Sequence, residues 1–94
     1  MAWRVKLSDS AIKSLEYLRI KEKEKIKNTL KILLDSLEEG KISFTQLNIR
    51  KLKGKWEGFL RIKVGKKLRI ILRIEWNKSE VYVYEIDYRG KVYK

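Results

Sequence analysis

The residues with the clearest chemical potential are lysines and arginines in the second half of this 94-residue chain. Between positions 50 and 73 the only acid is Glu57, and the bases are Arg50, Lys51, Lys53, Lys55, Arg61, Lys63, Lys66, Lys67, Arg69 and Arg73. Their side chains bind phosphate oxygens and stabilise negative charge on them. Trp56 and Phe59 lie in the same stretch, where they could stack on bases. The segment therefore predicts an RNA-binding surface.

The composition of the whole chain agrees with this prediction and limits the chemistry. Lys and Arg number 24 against 12 Asp and Glu, a net charge of +12, which favours a nucleic acid, an acidic protein or an anionic membrane surface as partner. The chain has no cysteine and no histidine, so it lacks thiolates, the commonest metal ligand and the usual proton shuttle. Acid–base steps must use Lys, Arg, Tyr, Asp or Glu, and we expect no metal or cofactor.

The distribution of apolar residues predicts a globular domain outside the membrane. Apolar residues make up 44% of the chain, enough for a core in one domain spanning residues 1–94. No stretch is long enough to cross a bilayer, and the opening residues, MAWRVKLSDS, contain no apolar signal region. We therefore expect a cytoplasmic protein.

Helical periodicity dominates the first half of the chain. Trp3, Val5 and Leu7 alternate with polar residues and predict a short strand. The sequence SDS at 8–10 offers helix caps before a first helix near 9–20. The apolar stripe of a second helix, which Gly40 would stop, consists of Ile26, Leu30, Leu33, Leu34 and Leu37.

After a connection at 41–54 with partly extended character, the apolar period changes to two. The alternating residues flank GKK at 65–67 and are Leu60, Ile62 and Val64, then Leu68, Ile70, Leu72 and Ile74. If both sets face one core, Val64 must lie opposite Leu68, because a slip of one residue would turn one set to solvent. This register requires a three-residue turn in which Gly65 can adopt a positive φ.

The same register gathers basic side chains on the other face of the hairpin. Arg61, Lys63, Arg69 and Arg73 share that face, with Lys63 opposite Arg69 and Arg61 opposite Ile71. Like charges directly across a ladder are destabilising. We therefore expect this face to meet an anion.

A last strand runs from about Glu80 to Asp87, and its orientation stays open. Either Tyr82, Tyr84 and Ile86 face the core, which puts Glu85 and Asp87 on the basic face, or Val81 and Val83 point inward. The resulting order, β-α-α-β-β-β, predicts an α+β fold. In it, a helical hairpin covers one face of a small, antiparallel-rich, twisted sheet.

Three stretches, in this order and at this length, resemble the RelE toxins of the RelE/ParE superfamily, particularly archaeal RelE-like proteins. They are KLKG at 51–54, GFLRIKVGKKLRIILRI at 58–74 and VYVYEIDYRGKVYK at 81–94, and the resemblance covers essentially the whole chain. It implies the toxin of a type II toxin–antitoxin system, an endoribonuclease that cleaves mRNA in the ribosomal A site and inhibits translation. It also implies metal-free attack by the ribose 2′-hydroxyl and an acidic RelB-like antitoxin.

The family's catalytic positions fall on Arg61, Lys63, Arg69, Arg89 and Tyr93. Arg61 and Arg69 would stabilise charge on the phosphate, and Arg89 would do the same or protonate the leaving oxygen. Lys63 and Tyr93 are the candidates for proton transfer, with base stacking as the alternative for Tyr93. The expected contacts with RNA or the ribosome are Lys51, Lys53, Lys55, Lys66, Lys67 and Arg73.

Other interpretations of the same residues stay open. A ParE-like protein would share the fold and inhibit DNA gyrase without nuclease residues, which the retained Arg89 and Tyr93 argue against. Charge alone would also suit a non-catalytic RNA-binding protein of the ribosome. Trp56 could equally pack in the core, and Lys66 and Lys67 could be solvated loop residues.

Overall fold

The computed structural model describes residues 2–42 and 47–88. In these ranges the chain forms β1 (Arg4–Leu7), α1 (Asp9–Tyr17), α2 (Ile20–Glu38), β2 (Ile49–Lys51), β3 (Leu60–Val64), β4 (Leu68–Glu75) and β5 (Glu80–Tyr88). The strands make one sheet in the order β1-β5-β4-β3-β2. Of these five strands, β1 and β5 pair in parallel and the other neighbours are antiparallel. The predicted α+β fold is confirmed, and the connection at 41–54 contributes an additional short strand, β2.

Local capping sets the limits of the helices. The Ser8 hydroxyl accepts a hydrogen bond from the Ala11 amide at 3.0 Å and starts α1. The backbone is extended at Leu18 and Arg19, so α1 ends at Tyr17, earlier than the predicted limit near residue 20. Gly40, with a φ of 80°, follows the end of α2 as predicted. In the described ranges, neither helix is long and apolar enough to cross a membrane.

The hydrophobic core lies between the helices and one face of the sheet. Its buried members are Ala11, Ile26, Leu33, Leu37, Ile49, Ile62, Val64, Leu68, Ile70, Leu72, Val81, Val83 and Ile86. The predicted helical stripe and the even-numbered hairpin residues are therefore confirmed on the core side, with Leu30, Leu34, Leu60 and Ile74 partly buried against these members. Ile49 anchors β2 to this core. Residues 43–46 of the connection before β2 lie outside the described ranges.

The hairpin of β3 and β4 has the predicted register. Val64 pairs with Leu68, Lys63 with Arg69 and Arg61 with Ile71. Gly65 adopts a φ of 65° in the turn, which an L side chain rarely does. The alternation of apolar residues was sufficient to place every side chain of this hairpin on the correct face.

The last strand combines both predicted orientations because it contains a β-bulge. Val83 pairs with Leu72 and Glu85 with Ile71, so Tyr84 is an extra residue on β5. Val81 and Val83 therefore face the core before the bulge, and Ile86 faces it afterwards. The alternative that buried Tyr82 and Tyr84 is wrong for those two residues.

Candidate anion-binding site on the open sheet face

Basic side chains cluster on the sheet face turned away from the helices, which we call the open face. Successive side chains of a strand point to opposite faces. The basic residues that alternate with core residues therefore lie on the open face, namely Arg61 and Lys63 of β3, Arg69 of β4 and Arg50 of β2. Arg50 lies opposite Arg61, and Lys63 lies opposite Arg69. We call these four residues the basic cluster. Neighbouring strands are about 4.8 Å apart and alternate residues about 6.7 Å, so four positive charges share two adjacent rows.

The Arg69 guanidinium is held inside the sheet surface. Its Nε and Nη1 are buried and have no hydrogen-bond partner among the residues that the structure describes. Within the same residues, neither Arg69 nor Lys63 takes part in an ion pair. Burying charged donors without acceptors costs free energy, and two like-charged cross-strand pairs add to that cost. An anion bound on the open face would offset both terms.

The two acids of β5 are positioned differently from each other. Asp87 is buried and lies directly opposite Arg69, on the same face. The Glu85 carboxylate instead accepts hydrogen bonds from Ser10 Oγ and Ser14 Oγ of α1, the latter at 2.8 Å. It also accepts one from the Ile86 amide at 3.0 Å. The bulge puts Glu85 beside α1, so its charge is stabilised there and does not have to pair with an arginine.

Three aromatic rings, Trp56, Phe59 and Tyr84, adjoin the basic cluster; we call them the aromatic cluster. The centroid of the Trp56 ring lies 5.7 Å from that of Phe59 and 5.4 Å from that of Tyr84. The centroids of the Phe59 and Tyr84 rings are 5.5 Å apart. All three contacts are edge-to-face. Trp56 is half-buried in this cluster and does not belong to the core between sheet and helices.

Arg73 borders the aromatic cluster. Its guanidinium carbon lies 5.3 Å from the centroid of the Phe59 ring and 5.7 Å from that of Tyr82. Its Nε also forms an ion pair with Glu75. Since ring faces and a carboxylate already surround this charge, Arg73 is better suited to hold the rings than to bind a phosphate.

The remaining predicted contacts are not brought together with the basic cluster. Lys51 pairs with Leu60, so its side chain leaves β2 on the side opposite to Arg50. Lys66 and Lys67 are exposed in the turn of the hairpin, where they line a cleft with Glu22 and other residues. Lys53 and Lys55 are exposed in the segment between β2 and β3. Arg89 and Tyr93 lie outside the described ranges.

One feature of the site was missed by the sequence analysis, and another was left undecided by it. Arg50 was counted in the basic stretch, but its place opposite Arg61 depends on β2, which the pattern did not resolve. Tyr84 lies on the open face because it follows the inward-facing Val83, which was one of the two orientations left open for β5. Among the described residues, no group of three His, Cys, Asp or Glu side chains lies close enough to hold a metal ion. The described side chains of the open face offer fixed cations, one buried carboxylate and aromatic rings.

The fold is that of RelE-type toxins. The chain is similar to a toxin–antitoxin protein in the archaeal RelE–RelB complex from Pyrococcus horikoshii, with a TM-score of 0.75, 21% identity and coverage of 98% of this chain and 100% of that one. It resembles a chain of the E. coli DinJ–YafQ toxin–antitoxin complex, with a TM-score of 0.75, 12% identity and full coverage of both chains, 100% and 100%. It is also similar to a chain of the YoeB–YefM complex from Staphylococcus aureus, with a TM-score of 0.67, 14% identity and coverage of 94% of this chain and 98% of that one.

The sequence narrows this class to a family. A family model described as the ParE toxin of type II toxin–antitoxin systems, parDE, matches residues 5–93. The chain therefore belongs to the ParE toxin family of type II toxin–antitoxin systems. The resemblance to the RelE/ParE superfamily predicted from the sequence is confirmed. A comparison with curated proteins gives no significant match.

Proposed function

We propose that this toxin is a metal-independent endoribonuclease that cleaves mRNA in the ribosomal A site, in the cytoplasm, and so inhibits translation. The observation that carries the proposal is the basic cluster. Arg61, Lys63 and Arg69 are the described members of the predicted catalytic set, and all three lie side by side on the open face. The donors of Arg69, which are buried without a hydrogen-bond partner in the described part of the chain, support a role in binding a phosphate.

The proposed reaction is a transfer of the phosphate within one RNA strand. The ribose 2′-oxygen forms a bond to the adjacent phosphorus, and the bond from phosphorus to the leaving 5′-oxygen breaks. The 2′-hydroxyl proton goes to a base, and an acid supplies a proton to the 5′-oxygen. Cleavage leaves a cyclic 2′,3′-phosphate and a 5′-hydroxyl.

The basic cluster suits the charge that this reaction creates. Negative charge grows on the non-bridging oxygens, where the guanidinium groups of Arg61 and Arg69 would stabilise it. Because the sheet already holds these groups in place, little reorganisation is needed when the charge develops. We assign proton transfer to Lys63 and Tyr93, and charge stabilisation or protonation of the 5′-oxygen to Arg89.

We further propose that an acidic antitoxin neutralises this protein by covering the open face. Several proteins of the same fold were solved in complexes with RelB, YefM or DinJ. With 24 Lys and Arg against 12 Asp and Glu, this chain offers a complementary surface to an acidic segment. The antitoxin and the RNA would then compete for the same cations.

A second candidate function is inhibition of DNA gyrase, since the matching family model is described as ParE. It requires the fold and a binding surface but no catalytic set. A supercoiling assay with purified gyrase distinguishes it from RNA cleavage, because only a gyrase inhibitor would reduce supercoiling.

Primer extension on a translated mRNA tests the proposed nuclease directly. We expect cuts at fixed positions within codons for the native protein. Cutting should fall about a hundredfold in Arg69→Ala, since loss of one fixed donor to a developing oxyanion costs about that much. Lys27→Ala removes one charge from the outer face of α2 and should cut normally. Circular dichroism would establish that both variants are folded.

Two outcomes would contradict the nuclease proposal. The native protein would produce no cuts in translated mRNA, or folded Arg69→Ala would cut as fast as Lys27→Ala. The first result together with loss of supercoiling would favour the gyrase inhibitor.

A further inference from the structure

We propose that the aromatic cluster of Trp56, Phe59 and Tyr84 is a binding site for an unpaired nucleobase of the RNA. The nucleotide in question is the one next to the phosphate held at Arg61 and Arg69. This inference rests on the proposed function because it takes RNA as the ligand, and it adds a base-binding subsite to the phosphate-binding site.

The position of the aromatic cluster supports this role. Phe59 and Arg61 are alternate residues of one extended segment, so they share the open face about 6.7 Å apart. Arg61 pairs with Ile71, Ile71 pairs with Glu85, and Tyr84 is the bulged residue next to Glu85. Phe59 and Tyr84 therefore lie next to the row that contains Arg61, at the edge of the basic cluster. A nucleotide with its phosphate on the basic cluster would place its base over these rings.

The geometry of the rings makes a firm platform. Edge-to-face contacts at 5.4 to 5.7 Å hold Trp56, Phe59 and Tyr84 against one another. Tyr84 follows the inward-facing Val83 and therefore leaves β5 on the open face, where 39% of this residue is exposed. Bases stack on such aromatic side chains when they are not paired. Since the rings are already ordered, stacking would cost little conformational entropy.

The aromatic cluster also helps to cover a buried residue of the open face, but this packing leaves part of the aromatic surface exposed. Ile71 is fully buried although it lies on the open face, outside the main core, so side chains of this face must cover it. Covering Ile71 does not require an aromatic residue with 39% exposure at position 84. Tyr84 adjoins the row of Arg61 at the border of the basic cluster, which favours a ligand that combines negative charge with flat apolar groups. Single-stranded RNA has both properties.

Arg73 strengthens the subsite from its border. Its guanidinium lies over the rings of Phe59 and Tyr82, and Glu75 balances its charge. Arg73 therefore positions Phe59 and extends the stacking surface with a second planar group. This makes it a positioning residue of the base site.

The test compares two RNA probes on the isolated protein, without ribosomes. One is a fluorescein-labelled single-stranded RNA hexanucleotide, and the other has the same backbone with abasic riboses. The native protein should bind the first about tenfold more tightly, as expected for stacking of one base. Tyr84→Leu keeps an apolar cover for Ile71 but removes the aromatic ring. It should lose that tenfold preference by weakening only the binding of the base-containing probe.

Two further variants control this experiment. Tyr84→Phe keeps the ring and should bind both probes like the native protein. Tyr17→Leu replaces a tyrosine that is 89% exposed on α1, away from the open face, and should also leave both affinities unchanged. Thermal unfolding of all three variants would show whether a loss of binding reflects a loss of fold.

Three results would overturn the base site. Tyr84→Leu would bind both probes like the native protein, or it would lose affinity for both probes equally. In the third, its affinity for RNA would be unchanged while its affinity for an acidic protein partner fell, which would make the rings part of a protein interface. If native protein cuts translated mRNA but any of these results is found, only the base site fails. If the preference for the base-containing probe depends on Tyr84 but the protein does not cut translated mRNA, only the nuclease proposal fails.

Discussion

Arg69 is a charged residue that neighbouring strands hold in a partly buried position. Lys63 lies across one ladder from it and Asp87 across the other, and its Nε and Nη1 are buried without a hydrogen-bond partner among the described residues. The flanking strands restrict where its guanidinium can point. This arrangement lowers the stability of the free protein, and a bound anion would offset that loss by accepting the hydrogen bonds.

Glu85 illustrates the opposite treatment of a buried charge, since hydroxyl groups of α1 satisfy it. We expect Ser14→Ala to lower the free energy of unfolding by about 1–2 kcal/mol, because it removes a donor to a charged acceptor. Ser36→Ala is the matched control. Ser36 donates instead to the Ile32 carbonyl at 3.0 Å on an exposed part of α2. Its loss should change stability by less than about 0.5 kcal/mol.

Urea unfolding of both serine variants measures this difference. Each substitution introduces alanine into a helix, so the gain in helix propensity is similar in the two variants. Equal stabilities would show that the Ser14–Glu85 hydrogen bond contributes nothing to holding α1 against β5.

At the scale of elements, the hairpin and β5 create the site. The hairpin brings Lys63 to Arg69. In β5, Tyr84 follows the inward-facing Val83 and reaches the open face, and the bulge then returns Ile86 to the core. The helices supply the other half of the hydrophobic core. They cover one face of the sheet and leave the face with the basic and aromatic clusters free of helices.

The turn of the hairpin offers a test of its register. Among the described residues, a Cβ atom on Gly65 would meet Lys25 Nζ alone, at 3.8 Å. The penalty for Gly65→Ala therefore comes from the φ of 65° rather than from a clash. We expect Gly65→Ala to destabilise the protein by about 1 kcal/mol in urea unfolding. Gly65→Asn should cost less, because asparagine tolerates this conformation. If both variants are as stable as the native protein, the turn does not adopt this conformation.

For the whole molecule, charge is the dominant property. A net charge of +12 in 94 residues gives the protein a strong positive field, and the basic cluster concentrates part of it on the open face. Such a field attracts RNA and an acidic antitoxin in the same way. The choice between them must then depend on the shape and the apolar contacts of the open face.

The salt dependence of RNA binding measures how much of this charge meets phosphates. We expect the affinity for a single-stranded RNA to fall steeply as salt rises, since each contacted phosphate releases counterions. Arg50→Ala should make the slope of log K against log salt shallower by about one unit. Lys27→Ala, on the other side of the molecule, should not change it. A flat response of the native protein would mean that phosphates are not bound.

The sequence by itself determined the features that depend on local periodicity. The stripe of α2 and the alternation in β3 and β4 follow from which residues must be buried together. A one-residue slip at Val64 and Leu68 would turn one apolar set to solvent, so the register and the position of Arg61 opposite Ile71 could be predicted. The resemblance of the three motifs was sufficient for the fold and the superfamily.

Only the tertiary structure decided the features that depend on contacts between distant segments. The bulge at Tyr84 reconciles two inward-facing sets in β5 that no local pattern distinguishes. The partners of Glu85 are serines from the beginning of the chain, and β2 is too short to be recognised without β3 beside it. The aromatic cluster joins rings from two separate segments. Periodicity reports which face is buried, but which side chains meet on a face depends on how the strands pair.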